Sequence, residues 1–437
     1  MYACPNCGGN LRFDIRTQQL GCGNCQTQMD VYSFEDKSPA TEKQTEFDAT
    51  VFSCPQCGGE ILSTDTSAAE FCTFCGASTI LHSLLTKEKR PAYIIPFQKT
   101  KEDCKEAYRS MMKKAIFAPD ALKDPKHIDS FRGIYMPYWA FHLTQNAHFS
   151  LKGTQTKRRG DYVYTDHFLL SGDLDAYYKG LSYDASSSFD DNISEKIAPY
   201  DVKGMKEFTP AYLSGFYADT ADVDPKNYQN DAENIAISNS TNKIYGSFSG
   251  VNMESLSNPS ILNTQVKEID SAMFPVWFLS YRNAGRVAYA TVNGQTGKVV
   301  TDLPIDTKKY GTASLIFAIP IFLLFNLLFT ITPFALTIIT AILSLISLII
   351  YSYEISEIKQ KEEISTKKSV FISTISAIII CAIVAILRPV SDIYYYGAAI
   401  ISLFAVFYSF KDIIQYYNIL ATRRLPQFDR TGGDDRA

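Results

Sequence analysis

Apolar residues are distributed very unevenly along this chain. Over residues 311–410 long uncharged stretches alternate with short charged ones, whereas the preceding residues mix apolar and polar positions. Residues 311–353 contain no Asp, Glu, Lys or Arg, and this run is about twice the ~20 residues that one membrane-spanning helix needs. A turn near residues 330–333 would divide the run into two antiparallel helices. Two further uncharged segments, 369–387 and 393–410, predict four membrane spans in all.

Basic residues lie at alternate ends of the predicted spans. The side that would carry both termini holds Lys308, Lys309, Lys359, Lys361, Lys367, Lys368, Lys411, Arg423 and Arg424. The opposite side holds only Arg388. The positive-inside rule therefore predicts a multi-pass plasma-membrane protein, embedded in the lipid bilayer over residues 311–412, with both termini and the tail 413–437 in the cytoplasm. The alternative is a water-soluble bundle of buried helices.

Eight of the ten cysteines form two copies of one pattern, C-x2-C-x14-C-x2-C, offset by fifty residues. They are Cys4, Cys7, Cys22 and Cys25 in the first copy and Cys54, Cys57, Cys72 and Cys75 in the second. Four thiolates fill the tetrahedral coordination of Zn²⁺ and leave no position for an activated water. The pattern predicts two zinc ribbons, over residues 1–33 and 51–85, each with one structural zinc ion. Disulfides are the alternative, which a cytoplasmic location disfavours.

The charge of the Cys-rich region bears on its partner. Residues 1–90 contain seven Lys or Arg against eleven Asp or Glu. Nucleic-acid binding depends on a basic surface that neutralises phosphates. We therefore expect these units to contact protein and not nucleic acid.

Residues 91–310 predict an α+β domain rich in antiparallel strands, which follows a polar linker at 34–50 and a charged hinge at 86–91. Apolar residues recur at helical spacing over 100–117, where Thr100 and Asp103 resemble a capping box. Asp224 and Pro225 indicate the start of a second helix that runs towards Lys243.

Strand patterns follow and precede this second helix. Polar and apolar residues alternate over 135–149 and 161–170, as in strands with one buried face. Asn293-Gly294 predicts a hairpin turn between strands at 288–292 and 298–300. Both tryptophans lie in Pro-x-Trp steps, at Trp139 and Trp277, which indicates a diverged internal duplication or, alternatively, a coincidence of two core-anchoring side chains.

No residue pattern in the chain predicts catalysis. Lys298 follows two glycines, but the Walker spacing requires Ser or Thr where Val299 stands. His142, His148 and His167 fall in predicted strands without Cys or carboxylate at ligand spacing, so we interpret them as ordinary sheet residues. The prediction is a protein that is not an enzyme.

Several segments together resemble a known family. They are the two Cys-Pro-x-Cys-Gly-Gly openings, Ile-Pro-Phe at 95–97, Ile-Phe-Ala-Pro at 116–119, Gly-Ile-Tyr-Met-Pro-Tyr-Trp at 133–139, Val-Asn-Gly-Gln-Thr-Gly-Lys at 292–298 and Asp-Leu-Pro at 302–304. In this order they resemble the bacterial membrane zinc-ribbon proteins of the YdjG-like group, often labelled replication-restart helicase-like or TFIIB-type zinc-ribbon proteins.

That resemblance implies a membrane component of modules that contain a phage-shock-protein-A homologue and an SPFH-domain partner, used in envelope stress and membrane maintenance. The expected function is a non-enzymatic membrane adaptor that recruits such a partner. The alternative is a membrane-tethered, nucleic-acid-associated zinc-ribbon factor without a helicase core.

Overall fold

The computed structural model of the chain describes residues 2–34, 46–63, 72–77, 82–255, 259–283, 285–328, 331–361 and 368–428. Within these residues it forms sixteen strands and eight α-helices. The strands are β1 (Leu11–Asp14), β2 (Gln19–Cys22), β3 (Gln28–Met29), β4 (Glu46–Ser53), β5 (Glu60–Ser63), β6 (His82–Lys89), β7 (Tyr93–Ile94), β8 (Arg132–Arg159), β9 (Tyr162–Asp184), β10 (Lys206–Glu207), β11 (Tyr217–Ala218), β12 (Asn252–Met253), β13 (Thr264–Asn283), β14 (Arg286–Asn293), β15 (Val299–Thr301) and β16 (Arg423–Arg424). The helices are α1 (Lys101–Lys114), α2 (Pro125–Ile128), α3 (Asp191–Ile197), α4 (Gln229–Ser247), α5 (Thr307–Leu328), α6 (Pro333–Lys361), α7 (Lys368–Leu387) and α8 (Ile393–Leu420).

Two sheets organise the part of the chain outside the long C-terminal helices. β1, β2 and β3 form a small sheet, and the other thirteen strands form one large sheet around the adjacent antiparallel strands β8 and β13. β5 joins the large sheet by pairing with β11, so the second Cys-rich unit shares a sheet with the predicted α+β domain. The antiparallel-rich α+β architecture agrees with the alternating patterns in the sequence.

The predicted hinge at 86–91 is wrong. Thr86 and Lys89 belong to β6, which pairs antiparallel with β4 along its whole length, from Ser53↔His82 to Glu46↔Lys89. Charged residues on a solvent-exposed edge strand produce the same polar composition as a linker, so composition alone did not distinguish the two. Residues 35–45 of the predicted linker lie outside the described residues.

The local predictions for the helix at 100–117 and the turn at Asn293 hold. Helix α1 has Thr100 as its N-cap, and Thr100 and Asp103 form a reciprocal capping box. The helix ends at Lys114, earlier than predicted, and Ile116 is exposed. The Asn293 side chain accepts hydrogen bonds from the backbone N–H groups of Gln295 and Thr296 (both 2.9 Å), which fixes the turn between β14 and β15.

The two Pro-x-Trp steps occupy equivalent positions on β8 and β13. Pro137 on β8 pairs with Met273, and Pro275 on β13 pairs with Tyr135. Each proline thus lies opposite the residue two positions before the other proline. A local twofold axis between β8 and β13 would produce this register. The two Pro-x-Trp steps are thus related by that axis.

Hydrogen bonds outside the strands repeat with the same symmetry. The indole N–H of Trp139 donates to the carbonyl of Val223 (2.8 Å), and that of Trp277 donates to the carbonyl of Lys99 (2.9 Å). The backbone N–H groups of residues 222 and 223 both donate to Ala185, and those of residues 98 and 99 both donate to Gly294. This matched set of bonds favours an internal duplication over the coincidence of two core-anchoring tryptophans.

The first repeat contains β7, α1 and β8, and the second contains β11, α4 and β13. The first strand of each repeat pairs with the long strand of the other. In the first repeat β7 leads into α1, but β7 pairs with β13 of the second repeat. In the second repeat β11 precedes α4, but β11 pairs with β8 of the first. The centre of the sheet is filled by aromatic side chains from both repeats, including Phe97, Tyr135, Phe216 and Trp277. Because each half supplies a strand to the other, the two repeats form one folded body.

The small sheet packs on the large one through its first strand. The backbone N–H of Phe13 donates to the carbonyl of Ser214 (3.0 Å), and the Ser214 hydroxyl donates to the carbonyl of Leu11 (2.6 Å). The rings of Phe13 and Tyr212 meet edge to face at 5.1 Å. Both Cys-rich units therefore rest on the central domain.

Among the residues that the structure describes, three of the C-terminal helices are long and apolar enough to cross a membrane. They are Pro333–Ser356 in α6, Ser369–Leu387 in α7 and Ile393–Leu420 in α8. Helices α6 and α8 pack through small polar side chains, for example the Ser344 and Ser402 hydroxyls at 2.6 Å, as membrane helices commonly do. The predicted first span coincides with α5 (Thr307–Leu328), and residue 330 of the predicted turn lies outside the described residues.

Candidate metal centres and their link to the membrane helices

The eight predicted cysteine ligands meet in two groups. The first Cys cluster consists of Cys4, Cys7, Cys22 and Cys25, and the second Cys cluster of Cys54, Cys57, Cys72 and Cys75; in each, the sulfur atoms all lie within 4.8 Å of one another. The nearest Sγ pairs are 3.4 and 3.6 Å apart in the first cluster and 3.7 and 3.8 Å in the second. Tetrahedral zinc with Zn–S bonds of about 2.3 Å separates its sulfur ligands by about 3.8 Å. Disulfide bonds would need about 2.05 Å.

All four Cys-x-x-Cys pairs adopt the same kind of backbone turn. The residue after the second cysteine adopts a positive φ in all four cases: 72° at Gly8, 59° at Gln26, 75° at Gly58 and 71° at Gly76. Its N–H donates to the carbonyl of the first cysteine of that pair, at 2.8 to 3.0 Å. Glycine adopts this conformation without strain, which explains three of the four positions. Gln26 adopts it at some cost.

The turns also direct hydrogen-bond donors at the sulfur atoms. The backbone N–H of Gly59 lies 3.4 Å from the sulfur of Cys57. In the first cluster the Thr27 hydroxyl lies 3.1 Å from the sulfur of Cys25. This contact and the Thr27 backbone N–H lower the pKa of Cys25 to about 6. Zinc binds the thiolate form of cysteine, so the lowered pKa of Cys25 favours metal binding at that one ligand.

The two clusters differ in their access to solvent. Cys7 and Cys25 of the first cluster are exposed, whereas all four cysteines of the second cluster are buried. The first cluster lies at the edge of the small sheet, and the second belongs to the large sheet. A metal ion in the first cluster is therefore the more accessible to competing ligands.

The segment after the last membrane helix covers the second cluster. The backbone N–H of Phe428 donates to the carbonyl of Cys57 (2.7 Å), and its ring lies 5.7 Å from that of the buried Phe74. The Tyr289 hydroxyl donates to the carbonyl of Phe74 (2.7 Å). A Cβ atom on Gly59 would lie 2.8 Å from the Phe74 ring, so this site requires glycine.

The same segment is held by a charged group. Arg423 lies between Asp190 and Asp302 and donates to both carboxylates, while its guanidinium is 5.4 Å from the centre of the Tyr289 ring. Burial acts to raise the pKa of Asp190, but the hydrogen bond and charge of Arg423 outweigh it and lower the pKa. For Asp302 burial dominates, and the pKa is raised.

Further bonds join the end of α8 to the segment before α5 and to the sheet. The Asn418 side chain accepts from the backbone N–H of Ile305 (2.6 Å) and donates to its carbonyl (2.9 Å). Arg286, at the turn of the β13–β14 hairpin, donates to the carbonyls of Ile419 and Thr422 (2.7 Å each). The membrane helices and the second cluster are thus connected through one short stretch of chain.

Comparison with known proteins gives one informative match. The chain is 30% identical over 314 residues to the uncharacterized protein YdjG of Bacillus subtilis, an alignment that covers 70% of this chain and 91% of the relative. The chain belongs to the YdjG family. No family model matches the chain, and no solved structure matches it.

The other candidate residues in this YdjG-family chain have structural surroundings. His142 lies 3.1 Å from Asp270, and His148 lies 2.7 Å from Asp173; both carboxylates belong to neighbouring strands, which sequence spacing did not reveal. The Lys298 ammonium donates to the carbonyl of Ala198 (2.5 Å). Among the described residues, only the two Cys clusters group His, Cys, Asp and Glu side chains as a metal ion would need.

The sequence does not reveal the role of Arg423 and Phe428 in joining the segment after α8 to the sheet domain and the second cluster. In the sequence Arg423 is recognisable only as a basic residue beside a predicted span, and no motif contains Phe428. Both contacts join residues far apart in sequence, with Arg423 lying 233 positions from Asp190. No local pattern marks either residue in advance.

Proposed function

We propose that this YdjG-family chain is a non-enzymatic, membrane-anchored zinc-ribbon adaptor. The observation that carries the proposal is the pair of four-thiolate clusters on a folded body that is fastened to membrane-type helices. Four sulfur ligands saturate zinc, so an ion in either cluster would shape the protein surface and would hold no substrate or water. Such a body is suited to presenting docking surfaces at a membrane.

The proposed metal is Zn²⁺, one ion in each cluster. Four cysteines at tetrahedral spacing, with backbone donors directed at their sulfurs, are the ligand set that zinc prefers. An ion in the second cluster would stabilise β4 and β5 within the large sheet. An ion in the first would stabilise a three-stranded unit that has little apolar core of its own.

We further propose four membrane spans with both termini in the cytoplasm. Helix α5 contains 22 residues, enough to cross a bilayer at ~1.5 Å per residue. Its start is fastened beside the end of α8 through Ile305 and Asn418, as expected for first and last spans whose inner ends meet at one membrane surface. The basic residues at that surface agree with the positive-inside rule.

The proposed partners follow from the resemblance described above. A phage-shock-protein-A homologue and an SPFH-domain protein would be recruited from the cytoplasm to the membrane during envelope stress. The excess of acidic residues in 1–90 favours this protein-binding role over a nucleic-acid-associated factor.

Reconstitution tests the adaptor directly. The full chain, held in lipid nanodiscs and loaded with zinc, would be mixed with the purified phage-shock-protein-A homologue from the same cells and with a random single-stranded DNA. We expect saturable binding of the protein and no salt-sensitive binding of the DNA. Retention of the DNA alone would establish the nucleic-acid-associated alternative, and binding of neither would refute the adaptor proposal.

A further inference from the structure

The β8–β9 hairpin extends well beyond the rest of the sheet. Its hairpin tip, defined as residues 155–169, is closed by the pair Arg159↔Tyr162. Large apolar side chains there are exposed, with Tyr162 71% and Leu169 73% accessible. The equivalent hairpin of the second repeat, β13–β14, is much shorter, since β14 has 8 residues and β9 has 23. The symmetric core therefore forms without this extension.

Apolar residues occur on both faces of the hairpin tip. Tyr162, Tyr164 and Phe168 alternate along β9 and so share one face. This face continues the buried one on which Leu151 packs with Ile244 of α4. Past the end of the helix the same face is open to solvent. The opposite face carries Val163 and Leu169, which are also exposed.

The tip lies at the far end of the sheet from the membrane helices. The turn of the β13–β14 hairpin adjoins the end of α8, where Arg286 donates to the carbonyl of Ile419. Because β8 runs antiparallel to β13, the β8–β9 hairpin points the opposite way. Its 28-residue strand β8 reaches about 90 Å at ~3.3 Å per residue. The bilayer that holds the helices is thus at the other end of the sheet from the tip.

We propose that the hairpin tip binds a soluble protein by inserting into an apolar groove with an acidic rim. Three consecutive basic residues, 157–159, flank the exposed aromatic side chains. The Lys157 ammonium lies 3.5 Å from a carboxylate oxygen of Asp166. Arg158 and Arg159 therefore supply the positive charge beside the exposed apolar side chains. Tyr and Arg are enriched among the residues that dominate binding energy in protein interfaces. The inference rests on the proposed adaptor function and names the surface and partner chemistry for it.

Two other occupants fit the tip less well. Nucleic acid requires a broad basic surface, whereas the tip has three basic and two acidic residues and apolar side chains on both faces. A second copy of the chain bound at the tip would bring together two tips that each carry more basic than acidic residues. A groove in a different protein covers both faces without opposing like charges.

Site-specific photocrosslinking in cells identifies the occupant. The full chain would carry a photoreactive phenylalanine at Tyr164 or, as the control, at Tyr177, which is exposed on the same strand but outside the tip. We expect a protein adduct at position 164 and not at 177. Adducts only to lipid, nucleic acid or a second copy, or no adduct at all, would overturn the proposal.

Affinity measurements then test whether the tip carries the binding. The captured protein would be purified and titrated against the chain in nanodiscs. We expect Y162S/Y164S/L169S to raise Kd at least tenfold and Y177S to leave it within twofold. Replacing residues 155–166 by Asn-Gly closes the adjacent pair Thr154↔His167 with a favoured turn, and should abolish binding in a folded chain.

The two proposals fail in different ways. Unchanged Kd in both tip variants would refute the role of the tip and leave the adaptor function standing, because binding would then lie elsewhere on the chain. Failure of every soluble protein to bind the wild-type chain would refute both.

Discussion

The guanidinium of Arg423 binds both carboxylate oxygens of Asp190, with Nε 2.8 Å from Oδ2 and Nη2 3.0 Å from Oδ1. This bidentate pair fastens the segment after α8 to the start of α3, in the soluble domain. Each side chain is 27% accessible, so the pair is neither fully screened by solvent nor fully buried. The pair thus links the segment that follows α8 directly to the soluble domain.

We expect Arg423→Gln to reduce the free energy of unfolding by about 2 kcal/mol, between the values for exposed and buried ion pairs. Arg423→Lys should recover part of the loss, because it restores the charge without the two parallel hydrogen bonds. Urea denaturation of the detergent-solubilised chain, followed by tryptophan fluorescence, measures both. Arg158→Gln, at an exposed position, is the control. If the denaturation curves of Arg423→Gln and Arg158→Gln coincide, the stabilising role of the Arg423–Asp190 pair is contradicted.

Asp219 predicts a dependence of stability on pH. Burial raises its pKa to about 6 from the ordinary 3.8, despite hydrogen bonds from Ser186 and Ser188. The folded state then retains a proton that the unfolded state releases, so this group's contribution to stability falls as the pH rises from 3.8 to about 6. Burial raises the pKa of Asp184 to about 6 in the same way.

The double variant D184N/D219N should therefore show a weaker loss of stability with rising pH in that window than the wild type. Denaturation midpoints collected across the window provide the slope, and Asp166→Asn, on the exposed hairpin tip, is the matched control. The assignment fails if the double variant and the wild type have the same slope.

The duplicated tryptophans offer a test of the intertwined repeats. We expect Trp139→Phe and Trp277→Phe each to cost about 1 kcal/mol or more, because each leaves a backbone carbonyl, of Val223 or Lys99, without its indole donor. The chain has only two tryptophans, so the fluorescence of each variant comes from the one tryptophan that remains. Both should unfold in a single transition; two separate transitions would show that the repeats are independent.

Metal release should occur in two phases. A zinc chelator is expected to remove the ion from the first Cys cluster faster, because Cys7 and Cys25 are exposed and the second cluster is buried. A colorimetric zinc assay would resolve the phases, with Cys7→Ser removing the fast one and Cys57→Ser the slow one. Release of both ions at one rate would be inconsistent with this difference in access.

Phe428→Ala should accelerate the slow phase alone, because the Phe428 ring packs with Phe74 beside the second cluster. Phe34→Ala is the matched control, since that ring lies against Tyr2 near the first cluster. An equal effect of the two substitutions on the slow phase would argue against a specific covering role for Phe428.

Cysteine labelling tests the proposed orientation. Val390, between α7 and α8, is fully exposed, and Val390→Cys should react with a membrane-impermeant maleimide in intact cells. Leu85→Cys, on the soluble part of the chain and also exposed, should react only after permeabilisation. The reverse pattern would place the soluble part outside.

Local features of this protein could be predicted from sequence because their causes are local. The Cys spacing led to two clusters, Thr100 and Asp103 to a capping box, and Asn293-Gly294 to a turn. The capping box and the turn depend on residues within one or two turns of backbone, and each cluster is built from two short Cys-x-x-Cys turns; the structure contains all of them.

Features that depend on distant partners could not be predicted in this way. β6 looked like a charged hinge because its partner strand β4 lies on the other side of a Cys-rich unit. The exchange of β7 and β11 between the repeats leaves no trace in periodicity, since two-residue strands are too short to show one. Asp270 meets His142 only because β13 pairs with β8.

The position of Phe428 also imposes an order on biosynthesis. Phe428 is translated after α5, α6, α7 and α8. It nevertheless covers the second cluster, whose cysteines are translated before all four of these helices. All four cysteines of the second cluster are therefore made before the residue that covers them, and the four long helices are synthesised in between. A chain cut short before Phe428 would lack this cover over the second cluster, although all eight cysteines of the two clusters would be present.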